Sequence, residues 1–358
     1  MRRWLPIIVL LALLGAVGWV VLELEPPSPA PPGAAARQKE PVAAVPPGMT
    51  LEAHFIDVGQ ADATLFLCDG HAMLVDGGEP ADSDLIYTYL KNLNVERLDY
   101  VVNTHPHEDH AGGLAGALHA CEAGEVWSPV TEYDGGAFRA FEKAAAQQGK
   151  TPQMPALDAP YPLGGAEVTV LGPRVLDGEP NDWSIILKVT FGKTAFLLTG
   201  DAESPAEHVL LDAGVDLSAT VYQVGHHGSD TSSGYAFLRE VMPQYAVISS
   251  GKDNPYGHPD EAVLSRLSDA GAAVYRTDLQ GDILAVSDGE TVVLSTEKNE
   301  TPPAPPAADE TYYIGNRKSK KFHRPSCPSL PAEHNRVTFE TREQAVEEGY
   351  TPCQTCKP

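Results

Sequence analysis

Cysteine and positive charge are both scarce in this chain. Five cysteines in 358 residues are too few for a small fold held by many disulfides, and Cys68 and Cys121 could be buried thiols or one disulfide. Lys and Arg number 25 against 49 Asp and Glu, a net charge of −24. A surface this acidic argues against general attraction to nucleic acid, so a local site would have to bind it. Hydrophobic residues at 42% suffice for a globular core and exclude global disorder.

Charge is also missing from a long stretch near the N-terminus. Arg2 and Arg3 precede an apolar run over residues 4–22, about the length that a helix needs to cross a bilayer. The two arginines favour a cytoplasmic N-terminus, which would place the rest of the chain outside the cell membrane. Residues 1–25 are therefore predicted to be a membrane anchor, and a cleaved signal peptide with a secreted product is the alternative.

Proline-rich segments divide the rest of the chain. Residues 26–48 and 298–311 cannot pack a core and are predicted to be extended spacers. They leave a large domain at 49–297 and a small one, the tail, at 312–358. In the large domain, short β-branched runs alternate with helical patterns in two halves, which indicates an α/β layered architecture. A strand over 51–58 and a helix over 259–270 are examples.

The most informative segment follows a strand predicted over residues 98–103. This histidine loop, residues 104–110, reads Thr-His-Pro-His-Glu-Asp-His and supplies four donors within six residues: His105, His107, Asp109 and His110. Neutral imidazoles and a carboxylate on one short turn are the donors that zinc requires. A chance cluster of surface histidines is the alternative, but irregular loops at strand ends are where functional sites are commonly carried.

Further motifs stand in order around the histidine loop. Leu-Val-Asp-Gly-Gly, containing Asp76, precedes it, whereas Leu-Thr-Gly-Asp, ending at Asp201, and Gly-His-His-Gly-Ser at 225–229 follow it. This series resembles the metallo-β-lactamase superfamily. The segments 55–63 and 254–259, Phe-Ile-Asp-Val-Gly-Gln-Ala-Asp-Ala and Asn-Pro-Tyr-Gly-His-Pro, resemble more narrowly the hydrolase domain of ComEC-type DNA-uptake proteins. The resemblance implies a four-layer αβ/βα sandwich with metals at the rim between its two sheets.

The resemblance also implies a ligand set for two zinc or manganese ions. The candidate ligands are His105, His107, Asp109, His110, Asp201, His226 and His227. The first two histidines would bind one metal, Asp109 and His110 the other, and Asp201 both. His226 would complete the second site with His227 as its rival, because adjacent side chains on an extended segment point opposite ways.

Other residues are predicted to support this site. Asp76 would orient the histidine loop from behind, or act as a turn former before two glycines. The superfamily usually supplies a third histidine to the first metal, and the one histidine between the loop and Asp201, His119, follows the loop too closely. Asp182 could replace that ligand, or Asn181 and Ser184 could contact substrate.

The predicted chemistry is hydrolysis. Paired cations make a shared hydroxide available as nucleophile and stabilise charge on the attacked oxygen. Asp109 would take the proton of the water, Ser229 would contact phosphate, and His258 would donate to the leaving oxygen, unless His258 only leads into a helix at Pro259. We expect an extracytoplasmic phosphodiesterase or nuclease. The alternatives are a hydrolase of phosphorylcholine esters or lactones, and a surface nucleic-acid-binding protein with a vestigial metal site.

The tail carries three of the five cysteines. Four soft ligands would form a closed tetrahedral zinc site: His323, Cys327, Cys353 and Cys356. A disulfide that leaves one free thiol is the alternative. The segment resembles the zinc-binding domain of the Ada DNA-repair protein, in which a methyl-accepting cysteine stands where this chain has His323. The resemblance therefore implies one structural zinc without methyl transfer.

The tail also differs from the rest of the chain in charge. It has eight Lys or Arg against five Asp or Glu. Five of the basic residues form a stripe beside the predicted zinc: Arg317, Lys318, Lys320, Lys321 and Arg324. This stripe predicts a weak phosphate-binding handle for nucleic acid, and a solvated basic face is the alternative.

Overall fold

The computed structural model describes residues 45–298, 312–325, 327, 329–339 and 342–353. The predicted anchor and Cys356 lie outside these ranges, as do nearly all of the two spacers. Among the described residues, no helix is both long enough and apolar enough to cross a membrane.

Strands and helices alternate along the large domain. The strands are β1 (Leu51–Phe55), β2 (Thr64–Cys68), β3 (His71–Val75), β4 (Arg97–Val102), β5 (Glu122–Trp127), β6 (Pro160–Leu163), β7 (Ala166–Gly172), β8 (Ile186–Phe191), β9 (Thr194–Leu198), β10 (Val221–Gln223), β11 (Tyr245–Ile248), β12 (Ala273–Arg276), β13 (Ile283–Ser287) and β14 (Val292–Thr296). The helices are α1 (Ser83–Asn92), α2 (Glu108–Ala111), α3 (Leu114–Ala120), α4 (Gly136–Gln147), α5 (Ser204–Ala213), α6 (Tyr235–Val241), α7 (Glu261–Asp269) and α8 (Thr277–Gln280).

The strands form two seven-stranded sheets. One has the order β14-β13-β1-β2-β3-β4-β5 and the other β12-β11-β10-β9-β8-β7-β6. Strands β3 to β5 in the first sheet and β9 to β12 in the second are parallel, and helices make their crossovers as parallel pairing requires. The loops after parallel strands therefore meet at one edge, the rim, where ligand sites of α/β sheets lie.

The two sheets pack face to face on a shared core. Phe66 of the first sheet meets Phe196 of the second edge to face, with ring centroids 5.7 Å apart, and both are fully buried. Replacing either ring by alanine would cost about 3–5 kcal/mol of stability. Separate apolar clusters join α1, α3 and α4 to one sheet and α5, α6 and α7 to the other. The predicted four-layer αβ/βα sandwich is confirmed.

Some elements are shorter than the sequence pattern predicts. Strand β1 ends at Phe55 rather than at residue 58, because the Asp57 amide turns to the Asp282 carboxylate, 2.8 Å away. Helix α7 begins at Glu261, since the Asp260 side chain accepts from the Ala262 amide at 2.7 Å and caps it. His258 thus precedes the cap rather than entering the helix.

The tail folds on a much smaller core. Its strands and helix are β15 (Tyr313–Asn316), β16 (Lys321–His323), β17 (Arg336–Phe339), β18 (Thr351–Pro352) and α9 (Arg342–Glu347), in the sheet order β17-β15-β16-β18. The buried cluster is Tyr313, Phe322, Phe339, Ala345 and Tyr350. The Tyr313 hydroxyl donates to Asp269 at the end of α7, 3.2 Å away, which joins the tail to the large domain. A fold with so few core residues generally needs a metal or a disulfide.

The two cysteines of the large domain are free thiols. Cys68 and Cys121 are both buried and unbridged, and Cys121 Sγ lies 3.1 Å from the Val95 carbonyl oxygen. The disulfide alternative for this pair is wrong.

Candidate metal centre

The histidine loop is held in place by Asp76 at the end of the neighbouring strand. β4 ends at Val102, and His107 is the N-cap of α2, so Asp109 and His110 fall in the first turn of that helix. Buried Asp76 accepts hydrogen bonds from the Thr104 amide and hydroxyl, both at 2.7 Å, and from His110 Nδ1 at 2.8 Å. Its φ of 57° is left-handed. Asp76 therefore fills both predicted roles: its carboxylate orients the histidine loop, and its left-handed backbone makes the turn.

Asp201 lies at the centre of the site, just after β9. Its Oδ1 is 3.3 Å from His110 Nε2 and 3.7 Å from His227 Nε2. Its Oδ2 is 3.7 Å from His226 Nε2 and 3.9 Å from His105 Nε2. The two oxygens of one carboxylate thus face two separate sets of nitrogen donors.

His226 and His227 both face Asp201. They occupy left-handed backbone positions, with φ of 51° and 52°, so the opposite-facing rule for extended segments does not apply. The assumption that only one of them could face the site is wrong. His227 Nδ1 donates to the Ser249 carbonyl at 3.1 Å, and Nδ1 of His226 lies 3.2 Å from Glu203 Oε1. Each ring therefore directs Nε2 inward, the arrangement that metal-binding histidines commonly have.

The buried donor atoms fit a cation. Donor atoms of four residues lie within 4.8 Å of one another: Asp109, His110, Asp201 and His227. His110 Nε2 and Asp201 Oδ1 are buried without any hydrogen-bond partner among the described residues, a costly state that a bound cation would relieve. Beside them, His105 Nε2 is 3.0 Å from His107 Nδ1. Nitrogen and carboxylate oxygen together suit zinc or manganese.

Burial and close charges shift the protonation of these groups. Burial, and then the neighbouring His110, hold the pKa of His105 well below its usual range, so its ring is neutral. Burial opposes ionisation of Asp201, but His110 and His227 outweigh it and hold the pKa of that carboxyl well below its usual range. Despite burial, Asp201 raises the pKa of both histidines. The negative charge that holds protons on these rings would also attract a cation.

Three residues predicted for ligation or substrate contact lie around Asp201 and Glu203 instead. Fully buried Ser184 accepts from the Asp201 amide at 3.1 Å, and its Oγ is 3.4 Å from His105 Nδ1. Asn181 Nδ2 donates to Glu203 Oε1 at 3.2 Å, and Asp182 Oδ1 accepts from the Glu203 amide at 3.1 Å. Ser184 has no exposed surface with which to touch substrate, so that prediction is corrected to a positioning contact.

Ser229, predicted to contact phosphate, lies beside a contact of His226. It is buried, and its hydroxyl lies 3.0 Å from that of Thr231, which is 3.1 Å from His226 Nδ1. His119 is exposed on α3, outside the cluster. In this structure the Ser229 hydroxyl is therefore linked to His226 through Thr231, and its contact with phosphate stays a prediction.

His258 stands at the outer edge of the site with a defined tautomer. Its ring centroid is 5.8 Å from that of His226. Gln60 Oε1 accepts from the Gly251 amide at 3.0 Å, so its Nε2 is the atom that donates to His258 Nδ1 at 3.4 Å. Burial and the nearby His226 lower the pKa of His258. The neutral ring therefore carries its proton on Nε2, where it can serve as a hydrogen-bond donor.

Several supporting residues were not singled out from the sequence. They are Gln60, Asp62, Thr104, Glu203 and Ser249. Asp62 Oδ1 is 3.6 Å from His227 Nδ1. Gln60 and Asp62 stand inside the 55–63 motif. Thr104 precedes His105, and Glu203 follows Asp201 by two residues. The available signal was therefore either membership of a motif or closeness to a ligand in the chain. No motif marks Ser249, which acts through its backbone.

The tail contains a second, chemically different cluster. His323, Cys327 and Cys353 are buried, and their donor atoms lie within 4.8 Å of one another, with His323 Nδ1 3.4 Å from Cys327 Sγ. Arg317, Lys318 and Lys320 are exposed in the turn between β15 and β16. The donors fit a soft tetrahedral site, whose fourth predicted ligand lies outside the described residues.

Family models match both the large domain and the tail. Residues 56–252 match the metallo-beta-lactamase superfamily model, and residues 304–358 match the metal binding domain of Ada. The chain belongs to the metallo-β-lactamase superfamily of hydrolases and carries an Ada-type metal-binding domain.

Its curated relatives include competence proteins. It is 32% identical over 241 residues to recombination protein 2 of Haemophilus influenzae, covering 65% of this chain and 28% of that protein. It is 33% identical over 228 residues to competence protein ComA of Neisseria gonorrhoeae, covering 63% and 30%. The chain thus spans about three tenths of the length of these relatives. The YhfI metallo-beta-lactamase fold protein of Bacillus subtilis aligns with a TM-score of 0.44 at 12% identity, over 68% of this chain and 100% of that one. The predicted resemblances to the superfamily, to the ComEC-type proteins and to Ada are confirmed.

Proposed function

We propose that this chain hydrolyses phosphodiester bonds at a dinuclear metal centre on the rim of its large domain. The observation that carries the proposal is the Asp201 carboxylate, whose Oδ1 and Oδ2 face different donor sets. A carboxylate shared in this way suits two cations held close together, the arrangement that many phosphatases and nucleases use.

The donor sets support a specific assignment of ligands. The first metal would be held by His105, His107, His226 and Asp201 Oδ2. The second would be held by Asp109, His110, His227 and Asp201 Oδ1. His226 then takes the place of the third histidine that the superfamily usually supplies between the histidine loop and Asp201. Glu203 and Asp76 support His226 and His110 from behind, as ligating imidazoles require.

The surrounding side chains supply the rest of the chemistry. Two bound divalent cations would lower the pKa of a water molecule and stabilise negative charge on a phosphoryl group. The Asp109 side chain is 28% exposed, so its carboxylate is open to solvent and can accept the proton of the attacking water. His258 Nε2 can donate a hydrogen bond to the leaving oxygen or to the phosphoryl group.

We also propose that the reaction takes place outside the cytoplasmic membrane and that the tail assists binding of a polymer. The apolar run at 4–22 would anchor the chain and place the large domain outside the cytoplasmic membrane. The exposed basic turn of the tail would present a phosphate-bearing polymer to an otherwise acidic protein. A small phosphodiester would need no such handle.

The test is hydrolysis of bis(p-nitrophenyl) phosphate by the full chain with zinc or manganese. We expect His107→Ala to lower the rate by about 10³-fold, since a bound metal is worth several kcal/mol to such a reaction. The matched control is Asp212→Ala, which removes an exposed carboxylate on α5 and should leave the rate unchanged. Equal rates for wild type and His107→Ala would overturn the proposal.

A further inference from the structure

We propose that Tyr256 and His258 form a stacking platform for a nucleobase, so that the substrate is a single-stranded nucleic acid. The platform is the pair of rings carried by the loop after β11. The inference rests on the proposed phosphodiesterase function and names its substrate class.

Tyr256 is a highly exposed aromatic side chain. Its exposure of 71% is the highest among the large hydrophobic side chains in the described part of the chain. One face of the ring is stacked on His258, with centroids 5.7 Å apart and planes at 25°. Since 71% of the side chain is exposed, most of the remaining ring surface is accessible to a ligand. Exposed aromatic faces of this kind are what proteins use to stack bases of single strands.

The loop that carries the platform is held in one conformation. Asn254 Nδ2 donates to the carbonyl oxygens of Gly251 and His258 at 2.8 and 2.6 Å. Asn254 Oδ1 accepts from the amides of Tyr256 and His258 at 3.2 and 3.0 Å. Gln60 fixes the loop to the large domain through Gly251 and His258. An exposed ring on a preorganised loop loses little entropy when a ligand stacks on it.

The platform lies beside the candidate metal centre. The His258 ring meets the His226 ring at 5.8 Å, edge to face, and His226 Nε2 is 3.7 Å from Asp201 Oδ2. A phosphodiester at the metals would therefore have a neighbouring base in reach of Tyr256.

Stacking also resolves the conflict between an acidic protein and a polyanionic substrate. The net charge of −24 weakens any binding that depends on phosphate attraction, whereas stacking acts on the base itself and tolerates any sequence. Exposed Lys252 on the same loop adds local positive charge. A choline head group would contact such a ring only through its cation, whereas a base would extend the existing Tyr256–His258 stack with a ring of its own, and we therefore commit to a nucleic acid strand.

The test compares binding of two fluorescent strands by the full chain, measured by anisotropy with phosphorothioate linkages to block cleavage. One strand is oligothymidylate and the other has the same backbone without bases. We expect Tyr256→Ala to weaken binding of oligothymidylate about tenfold or more, the usual contribution of one stacked base, and to leave the strand without bases unaffected. Tyr256→Trp should restore the preference. Tyr87→Ala removes another exposed tyrosine, on α1, and should change neither affinity.

Two other results for Tyr256→Ala would overturn the inference. An equal loss for both strands would mean that Tyr256 only shapes the loop, and no loss for either would mean that no base stacks there. Equal binding of both strands by the wild type would also overturn the inference, because it would show no preference for bases. Hydrolysis of bis(p-nitrophenyl) phosphate is followed in parallel. If the wild type cleaves the ester but Tyr256→Ala does not change binding, the stacking platform is refuted and the proposed function stands. If binding depends on bases but no cleavage occurs, the proposed function is refuted and the platform stands.

Discussion

The rim centre of the large domain and the cluster of the tail differ in donors, in exposure and in support. The rim has nitrogen and oxygen donors, of which Asp109 and His226 are partly exposed at 28% and 22%. The described donors of the tail are sulfur and nitrogen, and all are buried. The first arrangement leaves room for water and substrate, as catalytic sites do, whereas the second resembles the closed sites that stabilise small folds.

The apolar core beneath the rim is much larger than the core beneath the tail cluster. Two seven-stranded sheets and three apolar clusters underlie the rim, whereas one cluster of five residues underlies the tail. The fold therefore positions the donors at the rim, whereas in the tail we expect a bound metal to stabilise the fold.

The largest effect should come from metal removal. With a strong chelator, we expect the tail of the full chain to unfold, because a structural zinc contributes on the order of 10 kcal/mol to domains of this kind. The large domain should stay folded on its own core. Hydrogen exchange would show this as lost protection at Phe322 and Phe339 with protection retained at Phe66 and Phe196. Equal protection of the tail with and without metal would show that the tail does not need a metal to fold.

A smaller effect should follow from weakening the support of a rim ligand. Asp76→Asn removes the carboxylate that accepts from Thr104 and His110, and we expect a loss of about 10–100-fold in metal affinity or rate. Asp99→Asn is the matched control, since Asp99 accepts from His71 at 2.8 Å on the exposed surface. In metal titrations, Asp76→Asn should bind metal more weakly than Asp99→Asn. Identical affinities would show that the bonds of Asp76 serve only the turn.

The smallest effect should come from the basic turn of the tail. Replacing Arg317 and Lys318 by alanine should reduce the salt dependence of single-strand binding by about 0.7 per lost phosphate contact. The control replaces Arg139 and Lys143, which are exposed on α4, and should leave the salt slope unchanged. An unchanged slope in the tail variant would identify the turn as a solvated basic face.

Much of the site was accessible from sequence because ligand chemistry is local. The histidine loop was found from residue type and short spacing, whereas Asp201 and the His-His pair were found from the resemblance of their motifs to the superfamily. The contacts of Ser184 and Ser229 within the fold were not, since their hydroxyls face neighbours that the fold supplies. Gln60 and His258 are far apart in the chain, and no spacing predicts that an amide from one fixes the tautomer of the other.

Residue patterns predict the domains, the α/β layers and the kinds of donor, because periodicity and donor chemistry are properties of short segments. How those donors are shared is set by the folded chain. It gave His226 and His227 left-handed backbones, so both face one carboxylate, and it brought five strand ends to one rim. The reason is physical: the sharing depends on distances between segments far apart in the chain, which only the packing of two sheets can set.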